Sequence, residues 1–278
     1  MISMKKFLIN TFKRSLAFFK KDLINQTSYR LSFFLNILSI FIAVYVFFIF
    51  SKLFEGSNNY LEKFGNNYFF FLIIGISISD VVLRISSVIN TEVRNYQLTG
   101  MFEEIINLKA PIIELLSYSF IYPIVYSIFR LLIFLFFAVI FFDLSLDFTN
   151  IGLIIFAIFL TLTSCIGIAY IAGAYALAFK KGNPLSAINQ LSVMILGGVF
   201  FPTTILPDWL NYISQFIPIT HALEIIRYLF ISENFLNTEV MQHFYSLALL
   251  SLCFLSIGLV VCNFAIKNGK KNGTLTIY

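Results

Sequence analysis

The chain contains six long apolar stretches that are too hydrophobic for the surface of a soluble domain. They lie at residues 31–54, 67–90, 113–142, 151–178, 185–201 and 244–266. A helix needs about 20 residues to cross a hydrocarbon core of roughly 30 Å, and only the fifth stretch falls short of that length. Hydrophobic residues make up 59% of the chain, against about 45–50% in soluble domains. The sequence therefore predicts an all-α membrane protein with six transmembrane helices.

Basic residues are distributed unevenly among the segments that connect these stretches. Most lysines and arginines outside the stretches lie in alternate segments, at 1–30, 91–111, 179–184 and 267–278. The remaining connections hold only Lys63 and Arg227. Cytoplasmic loops of membrane proteins are enriched in Lys and Arg. We therefore predict a multi-pass protein of the cell membrane with both termini cytoplasmic and with residues 202–243 external.

The N-terminal segment, residues 1–30, combines an apolar face with a basic one. Leucines and phenylalanines recur at steps of three and four, while lysines recur every seven residues at Lys6, Lys13 and Lys20. This spacing places the two sets on different faces of a helix. It predicts an amphipathic cytoplasmic helix that lies on membrane lipids, and the apolar face argues against a nucleic-acid-binding arm.

Three prolines divide the segment that follows the fifth stretch. They are Pro202, Pro207 and Pro218. Each removes a backbone donor and disturbs the preceding turn, which leaves the two pieces 208–217 and 219–231. Neither piece can cross a bilayer, yet both are too apolar for a solvated loop. We predict a short re-entrant or interfacial helix pair within 202–231, anchored by Trp209 and Tyr212.

The largest cytoplasmic connection, 91–111, contains the pattern of a short amphipathic helix. Its sequence is Thr99-Gly100-Met101-Phe102-Glu103-Glu104-Ile105-Ile106. Thr99 is placed to cap this helix, and Glu103 and Glu104 favour its first turn. A short charged helix at the cytoplasmic ends of two spans is suited to docking into a groove on a partner. An ordinary connector between two spans is the alternative.

Charged residues within spans cost about 2.5–3.5 kcal/mol each near the bilayer centre unless they face protein or water. Asp80 and Arg84 are four residues apart, so we predict that they pair on one helix face. Arg130 has no acid three or four residues away. It is predicted to face either a structural partner on another span or the transport pathway. Glu114 lies near a span end and is predicted to be an interfacial charge.

His221, Glu224 and Arg227 recur every three residues along one flank of the second short helix. A His and a Glu three residues apart occur in some metal sites. The sequence offers no further cluster of histidines or carboxylates beside them, so we expect no metal. Contact with lipid headgroups or with a second copy of the chain is the predicted role.

These motifs follow one another in an order that resembles a known family. After the basic helix come Ser28-Tyr29-Arg30-Leu31-Ser32-Phe33, the Thr99–Glu104 pattern, Lys181-Gly182-Asn183-Pro184, Gly198-Val199-Phe200-Phe201-Pro202, Leu206-Pro207-Asp208-Trp209-Leu210 and Pro218-Ile219-Thr220-His221-Ala222-Leu223-Glu224-Ile225-Ile226-Arg227. The chain is similar, over nearly its whole length, to the type-2 permease family of ATP-binding-cassette exporters. The resemblance implies a transmembrane domain at 31–266, between the helix at 1–30 and a tail at 267–278.

The resemblance also implies partners and roles. The expected partners are a second copy of the chain or a close homologue, separate ATP-binding-cassette ATPase subunits, and membrane lipids. Coupling to the ATPase is expected at Thr99, Gly100, Phe102, Glu103 and Glu104. The short helices are expected to form an outer gate that comprises Gly197, Gly198, Pro202, Pro207, Trp209, Pro218, His221, Glu224 and Arg227. Arg130 is the candidate residue for the pathway.

The sequence contains no phosphate-binding loop of the form Gly-x-x-x-x-Gly-Lys-[Ser/Thr]. ATP and magnesium are therefore expected on the partner subunit, and no cofactor is expected in this chain. The predicted function is the outward movement of an amphipathic substrate, such as a drug-like molecule, a lipid or a glycan-linked lipid. The alternative is an integral-membrane transferase that acts on lipids, which would need clustered acids and histidines at a membrane surface.

Overall fold

The computed structural model describes residues 13–24, 28–53, 67–107, 111–179, 184–231 and 238–272, and all regular structure within these ranges is helical. The side chains of Glu103, Ile106 and Asn107 are not among the described features. The α-helices are α1 (13–24), α2 (Arg30–Leu53), α3 (Tyr68–Thr99), α4 (Met101–Asn107), α5 (Ile112–Tyr118), α6 (Ile121–Phe142), α7 (Ile151–Phe179), α8 (Pro184–Leu191), α9 (Asp208–Ser214), α10 (Pro218–Ile231) and α11 (Thr238–Lys271). A π-helix at Ser192–Leu196 follows α8, and a 3₁₀ turn at Thr203–Ile205 precedes α9.

Within the described ranges, five helical segments are long and apolar enough to cross a membrane. They are Arg30–Leu53, Tyr68–Leu98, Ile112–Phe142, Ile151–Phe179 and Thr238–Lys271. They confirm five of the six predicted spans. The predicted fifth span, 185–201, contains seven residues of α-helix, since α8 begins one residue earlier, and five residues of π-helix. At about 1.5 Å per residue these cover roughly 20 Å, so a sixth complete crossing is not confirmed.

The bundle is built around α3 and α7. Of the most apolar 18 residues of α3, 78% are buried, against 11% of those of α2. Helix α2 therefore lies at the periphery of the described bundle. Helix α7 packs against α3, α10 and α11. Its contact with α11 is made by backbone on backbone, because a Cβ atom on Gly167 would meet the Phe254 backbone and one on Gly258 would meet the Gly167 carbonyl. Small residues permit such close packing between membrane helices.

The cytoplasmic connection predicted at 91–111 begins later than expected. Helix α3 continues through 32 residues to Thr99 and ends at Gly100, whose φ of 72° favours glycine. The Thr99 hydroxyl donates to the Asn95 carbonyl oxygen at 2.7 Å. The prediction that Thr99 caps the next helix is therefore wrong. The short helix itself is confirmed as α4. At the other end of the chain, α11 continues to Lys271, five residues into the predicted tail.

Helix α1 lies against the start of the third span. Phe18 packs on Tyr118 with ring centroids 5.8 Å apart. Arg14 Nη1 lies 3.2 Å from Glu114 Oε1, which also accepts a hydrogen bond from the Tyr118 hydroxyl at 2.6 Å. Residues 13–24 are thus helical, as predicted, whereas the placement of this helix on membrane lipids stays a prediction. The rest of the predicted 1–30 segment, apart from 28–30, lies outside the described residues.

Candidate functional site

The helix that begins at Pro184 loses its regular hydrogen bonding in the middle of the bundle. The Gly197 amide donates to the Ser192 carbonyl at 3.0 Å, five residues back, which closes the π-helix. A Cβ atom on Gly197 would meet the Val193 carbonyl oxygen and lie 2.8 Å from Ile219 Cγ2. Gly198 then adopts a φ of 73°. The two glycines let the chain turn out of the helix while it stays packed against α10.

Four carbonyl groups at this break accept hydrogen bonds from side chains. The bonds are Thr220 Oγ1 to Leu196 O at 3.4 Å, Arg227 Nη1 to Gly198 O at 2.8 Å, Arg227 Nη2 to Val199 O at 3.2 Å and the Tyr68 hydroxyl to Phe200 O at 3.0 Å. Non-helical backbone is tolerated at membrane depth only where protein or water satisfies it. We call residues 196–200, with these side chains, the capped break.

Arg227 is the central group of the capped break. It is 1% exposed, and its Nη2 also donates to the Phe71 carbonyl of α3 at 2.9 Å. Its guanidinium carbon lies 3.4 Å from the centroid of the Phe71 ring. A Cβ atom on Gly75 would lie 2.6 Å from Nη2, so this glycine makes room for the guanidinium. The prediction that Arg227 contacts lipid headgroups or a second copy is wrong, because the side chain is turned into its own bundle.

His221 and Glu224 face a different place from Arg227. They line a cavity of about 490 Å³ together with His243 and Glu239 of α11. His221 Nδ1 lies 2.9 Å from His243 Nδ1, and His221 Nε2 lies 2.8 Å from the Gln215 carbonyl oxygen. A carbonyl only accepts, so Nε2 of His221 carries a proton and, in the neutral ring, Nδ1 accepts from His243. The pair joins α10 to α11.

Burial lowers the pKa of His221 below its usual range, and the bond from Nε2 to Gln215 opposes this shift. No group of three or more His, Cys, Asp or Glu side chains in the described ranges is arranged to hold a metal ion. Sequence reasoning missed His243 and Glu239, which stand on another helix. Their separation by four residues, which places them on one face of α11, was the available signal.

The charged residues of the spans form a second cluster. Arg130 of α6 donates to Asp80 of α3 through Nε at 2.8 Å and Nη2 at 3.1 Å, and Arg84 Nη2 reaches the same carboxylate at 3.4 Å. The predicted Asp80–Arg84 pair is confirmed, and Asp80 is the partner of Arg130 on another span. Both guanidinium groups also lie over the Tyr126 ring. A pathway role for Arg130 stays a prediction.

The residues predicted for ATPase coupling are divided by the structure. Phe102 is 1% exposed and packs edge-on against Tyr96 of α3 at 5.9 Å. The prediction that Phe102 docks into a partner is therefore wrong, because it anchors α4 to its own chain. Glu104 and Met101 are exposed. A docking role for Glu103 and Glu104 stays a prediction.

Helix α9 presents the exposed part of the predicted gate. Pro207 immediately precedes α9, and Pro218 is the first residue of α10, so both prolines bound helices as predicted. Trp209 and Tyr212 are 66% and 65% exposed. Most of α10, by contrast, is buried in the bundle, where it packs against α3, α7 and α11. Of the two predicted short helices, α9 is therefore the one that lies on the surface of the described bundle.

Long apolar helices around a broken and capped one define a polytopic membrane protein. The sequence profile of the family described as ABC-2 type transporter matches residues 16–231, from α1 to the end of α10. This match covers most of the chain, and the chain therefore belongs to the ABC-2 type transporter family. It is a permease, the membrane transport subunit of an ABC transporter, and is not itself catalytic. The family implies association with an ATP-binding-cassette ATPase subunit. A search among curated proteins found no match.

Proposed function

We propose that the chain is the permease subunit of an ABC exporter, that it pairs with a second copy and with separate ATPase subunits, and that it moves an amphipathic substrate outward. The observation that carries this proposal is the capped break. Non-helical backbone within a membrane bundle needs side-chain or water partners for its polar groups. Proteins retain locally unfavourable features of this kind chiefly at functional sites. In a permease, such a segment provides a fixed point beside which a short helix can move.

The geometry of α3 supports a proposed route by which ATP hydrolysis is coupled to the capped break. Helix α4 is anchored to the end of α3 by Phe102 and Tyr96. The opposite end of α3 offers Phe71 to Arg227 and Tyr68 to the carbonyl of Phe200. Since α3 is one continuous helix of 32 residues, about 48 Å long, a displacement of α4 by the ATPase is transmitted to the capped break. Glu103 and Glu104 are the proposed docking charges.

The outer gate is proposed to be α9. Trp209 and Tyr212 project from the chain, whereas His221, Glu224 and Arg227 hold α10 and the capped break in place. In a pair of permeases, two copies of α9 meet across the pathway and part when the substrate leaves. The proposed orientation places α9 outside and α4 in the cytoplasm, and the asymmetry of Lys and Arg supports it.

A cross-linking experiment tests the gate. Cys253 is exposed and Cys165 and Cys262 are buried, so all three are first replaced. Trp209→Cys is then introduced, and the transporter is reconstituted with its ATPase in vesicles that report efflux of an amphipathic dye. We expect disulfide-linked dimers to form at rest and to stop ATP-driven efflux, and reduction to restore it. Tyr245→Cys, at a residue 70% exposed on α11, is the matched control and should cross-link poorly.

Coupling is tested in the same vesicles. The double charge reversal Glu103→Lys with Glu104→Lys should leave the protein folded and inserted but abolish stimulation of the ATPase by substrate. Asp143→Lys, which reverses an exposed acid at the end of α6, is the control and should leave stimulation intact. Undiminished efflux in the double variant would contradict coupling through α4. Efflux at the uncrosslinked rate from Trp209→Cys dimers would contradict the gate.

A further inference from the structure

The cluster of Asp80, Arg84 and Arg130 has an excess of positive charge within the membrane. Asp80 is the only acid in the apolar stretch 67–90, and it faces two guanidinium groups. Arg130 binds both oxygens of the carboxylate, through bonds of 2.8 and 3.1 Å. Such a two-pronged contact matches the guanidinium fork to both carboxylate oxygens and makes Arg130 the closer partner of Asp80. The contact of Arg84 with the same carboxylate is longer, at 3.4 Å. One positive charge is therefore in excess, and it resides on Arg84.

Arg84 is also the accessible member of the cluster. Its side chain is 36% exposed, whereas that of Arg130 is 9% exposed. Its Nε atom is buried and has no hydrogen-bond partner within the described residues. An unsatisfied donor on a charged group in a membrane is costly, so the protein alone does not satisfy this guanidinium completely. The exposed part of the Arg84 side chain is the part that an anion can reach.

A cavity of about 350 Å³ lies beside Arg84. Asp80 and Arg84 form its polar wall, with the neighbouring Ser79 and Ser87, and its other side is lined by apolar residues that include Phe134 and Met194. Ser79 and Ser87 donate their protons to backbone carbonyls of α3, so their oxygens remain acceptors. A cavity with one cationic wall and one apolar wall fits an amphiphile better than a free inorganic anion.

The position of Arg84 along α3 also fits the binding of an amphiphile. Arg84 precedes Asn90, the first residue of the polar part of α3, by six residues, or about 9 Å. An aromatic path connects this depth to the membrane surface, because Tyr126 lies under Arg84, Tyr122 stacks on Tyr126 at 5.8 Å, and Phe19 of α1 packs on Tyr122 at 5.9 Å. A lipid whose headgroup binds at this depth keeps its acyl chains within the bilayer.

We infer that Arg84 binds the anionic headgroup of a membrane-embedded amphiphile, such as a phosphate monoester or a carboxylate, in the cavity between α3, α6 and the π-helix at Ser192–Leu196. This inference rests on the proposed function, for which it names the substrate class as an anionic amphiphile. Asp80 and Arg130 fix the position of the site, while Arg84 supplies the charge that is offered to the ligand. The ligand enters laterally from the leaflet that contacts α1.

Photocross-linking of the full chain tests the site without the ATPase. Met194 or, in a second preparation, Leu83 is replaced by p-benzoylphenylalanine, since both residues line the cavity. The protein is reconstituted in phosphatidylcholine vesicles that contain a trace of radiolabelled phosphatidic acid or, in parallel, radiolabelled phosphatidylcholine. We expect phosphatidic acid to be cross-linked in preference. Arg84→Gln should lower its yield about fivefold, the value of one cation at a membrane surface. Arg84→Lys should retain most of the yield.

Arg94→Gln is the matched control, because it removes one exposed cation from the same helix outside the cavity. Its yield should equal that of the parent. A second arm adds excess inorganic phosphate, which should not displace the lipid. The inference is overturned if Arg84→Gln leaves the yield unchanged, if Arg94→Gln lowers it equally, or if inorganic phosphate displaces the lipid. Binding without ATP-driven efflux would refute only the proposed function, and efflux without Arg84-dependent binding only this inference.

Discussion

Two buried arginines in this chain are stabilised in opposite ways. Arg130 faces a carboxylate, Asp80, to which it donates two hydrogen bonds. Arg227 instead donates to three backbone carbonyls, those of Phe71, Gly198 and Val199, and lies flat on the Phe71 ring. The first arrangement fastens two regular helices by a pair of opposite charges. The second uses the dipoles of two carbonyl groups in the interrupted helix and of one carbonyl group near the start of α3.

The difference shows what each guanidinium does for the fold. Removal of Arg130 leaves Asp80 with Arg84, so the charge of the carboxylate is still opposed. Removal of Arg227 leaves several carbonyls of a non-helical segment in an apolar interior with no donor. The fork of an arginine reaches divergent acceptors, which the single ammonium group of a lysine cannot do equally well. The capped break therefore depends on one side chain more strongly than the ion-pair cluster does.

The largest predicted effect is that of Arg227→Met, which keeps much of the volume but removes the donors. Each buried polar group that loses its partner costs about 1–3 kcal/mol, so we expect a loss of about 4 kcal/mol in the free energy of unfolding. Arg227→Lys should fall between the parent and the methionine variant. Denaturant unfolding of the detergent-solubilised protein, followed by far-ultraviolet circular dichroism, measures both. A loss below about 1 kcal/mol for Arg227→Met would contradict the role of the capped break.

The second prediction concerns Arg130→Met, measured in the same way. Because Arg84 remains beside Asp80, we expect a loss of about 2 kcal/mol, less than the roughly 3–5 kcal/mol of a completely broken buried pair. Addition of Arg84→Met should then cost more than the sum of the single changes, because Asp80 would have lost both cations. Strict additivity in this double-mutant cycle would show that Arg84 does not replace Arg130.

The smallest effect is predicted for pH, and it concerns His221, one turn and a half before Arg227 on α10. Burial lowers the pKa of His221, so the unfolded chain binds a proton at a higher pH than the folded one. Stability should be fully present above about pH 6.5, the ordinary pKa of histidine, and should decline as the pH falls from there towards the lower folded pKa. Four groups face the ring: His243 of α11, the Gln215 carbonyl, and Glu224 and Glu239 around the cavity.

His221→Gln is the control for this prediction, because glutamine keeps polar atoms but does not titrate. Unfolding midpoints of the parent and the variant should converge in acid and differ most near neutral pH. An equal decline in both between pH 7 and pH 5 would assign the pH dependence to other groups. The comparison also separates a titrating contact from the two arginine sites, neither of which changes charge in this range.

Local sequence patterns were sufficient to predict the helices and the Asp80–Arg84 ion pair within α3. The five spans and the Asp80–Arg84 pair follow from the spacing of residues along a helix. The helices bounded by Pro207 and Pro218 follow from the backbone hydrogen bond that proline cannot donate. The direction of Arg227 could not be predicted in this way. Its partner Phe71 is 156 positions away, and the choice between lipid and bundle depends on how α10 is packed.

The prediction for Phe102 and the missed histidine pair also depended on how helices pack, which local patterns do not show. Phe102 looked like a docking residue because it stands in a short cytoplasmic helix, but its ring finds Tyr96 once Gly100 turns the chain back on α3. The histidine pair needed the relative position of α10 and α11, which no spacing within either helix supplies. For Arg130, two environments were predicted, a structural partner or the pathway, and the structural partner is Asp80, 50 positions away.

Hydrogen bonds to backbone carbonyls do not depend on the side chains of the residues that accept them. Arg227 grips Gly198 and Val199 through carbonyl oxygens, so mutation of Val199 can alter the apolar surface near the break without loss of the grip. Gly75 has no such freedom, because any larger residue would occupy the place of the guanidinium. Related permeases should therefore retain Arg227 and Gly75, while side chains in the capped break vary with the substrate that each transporter carries.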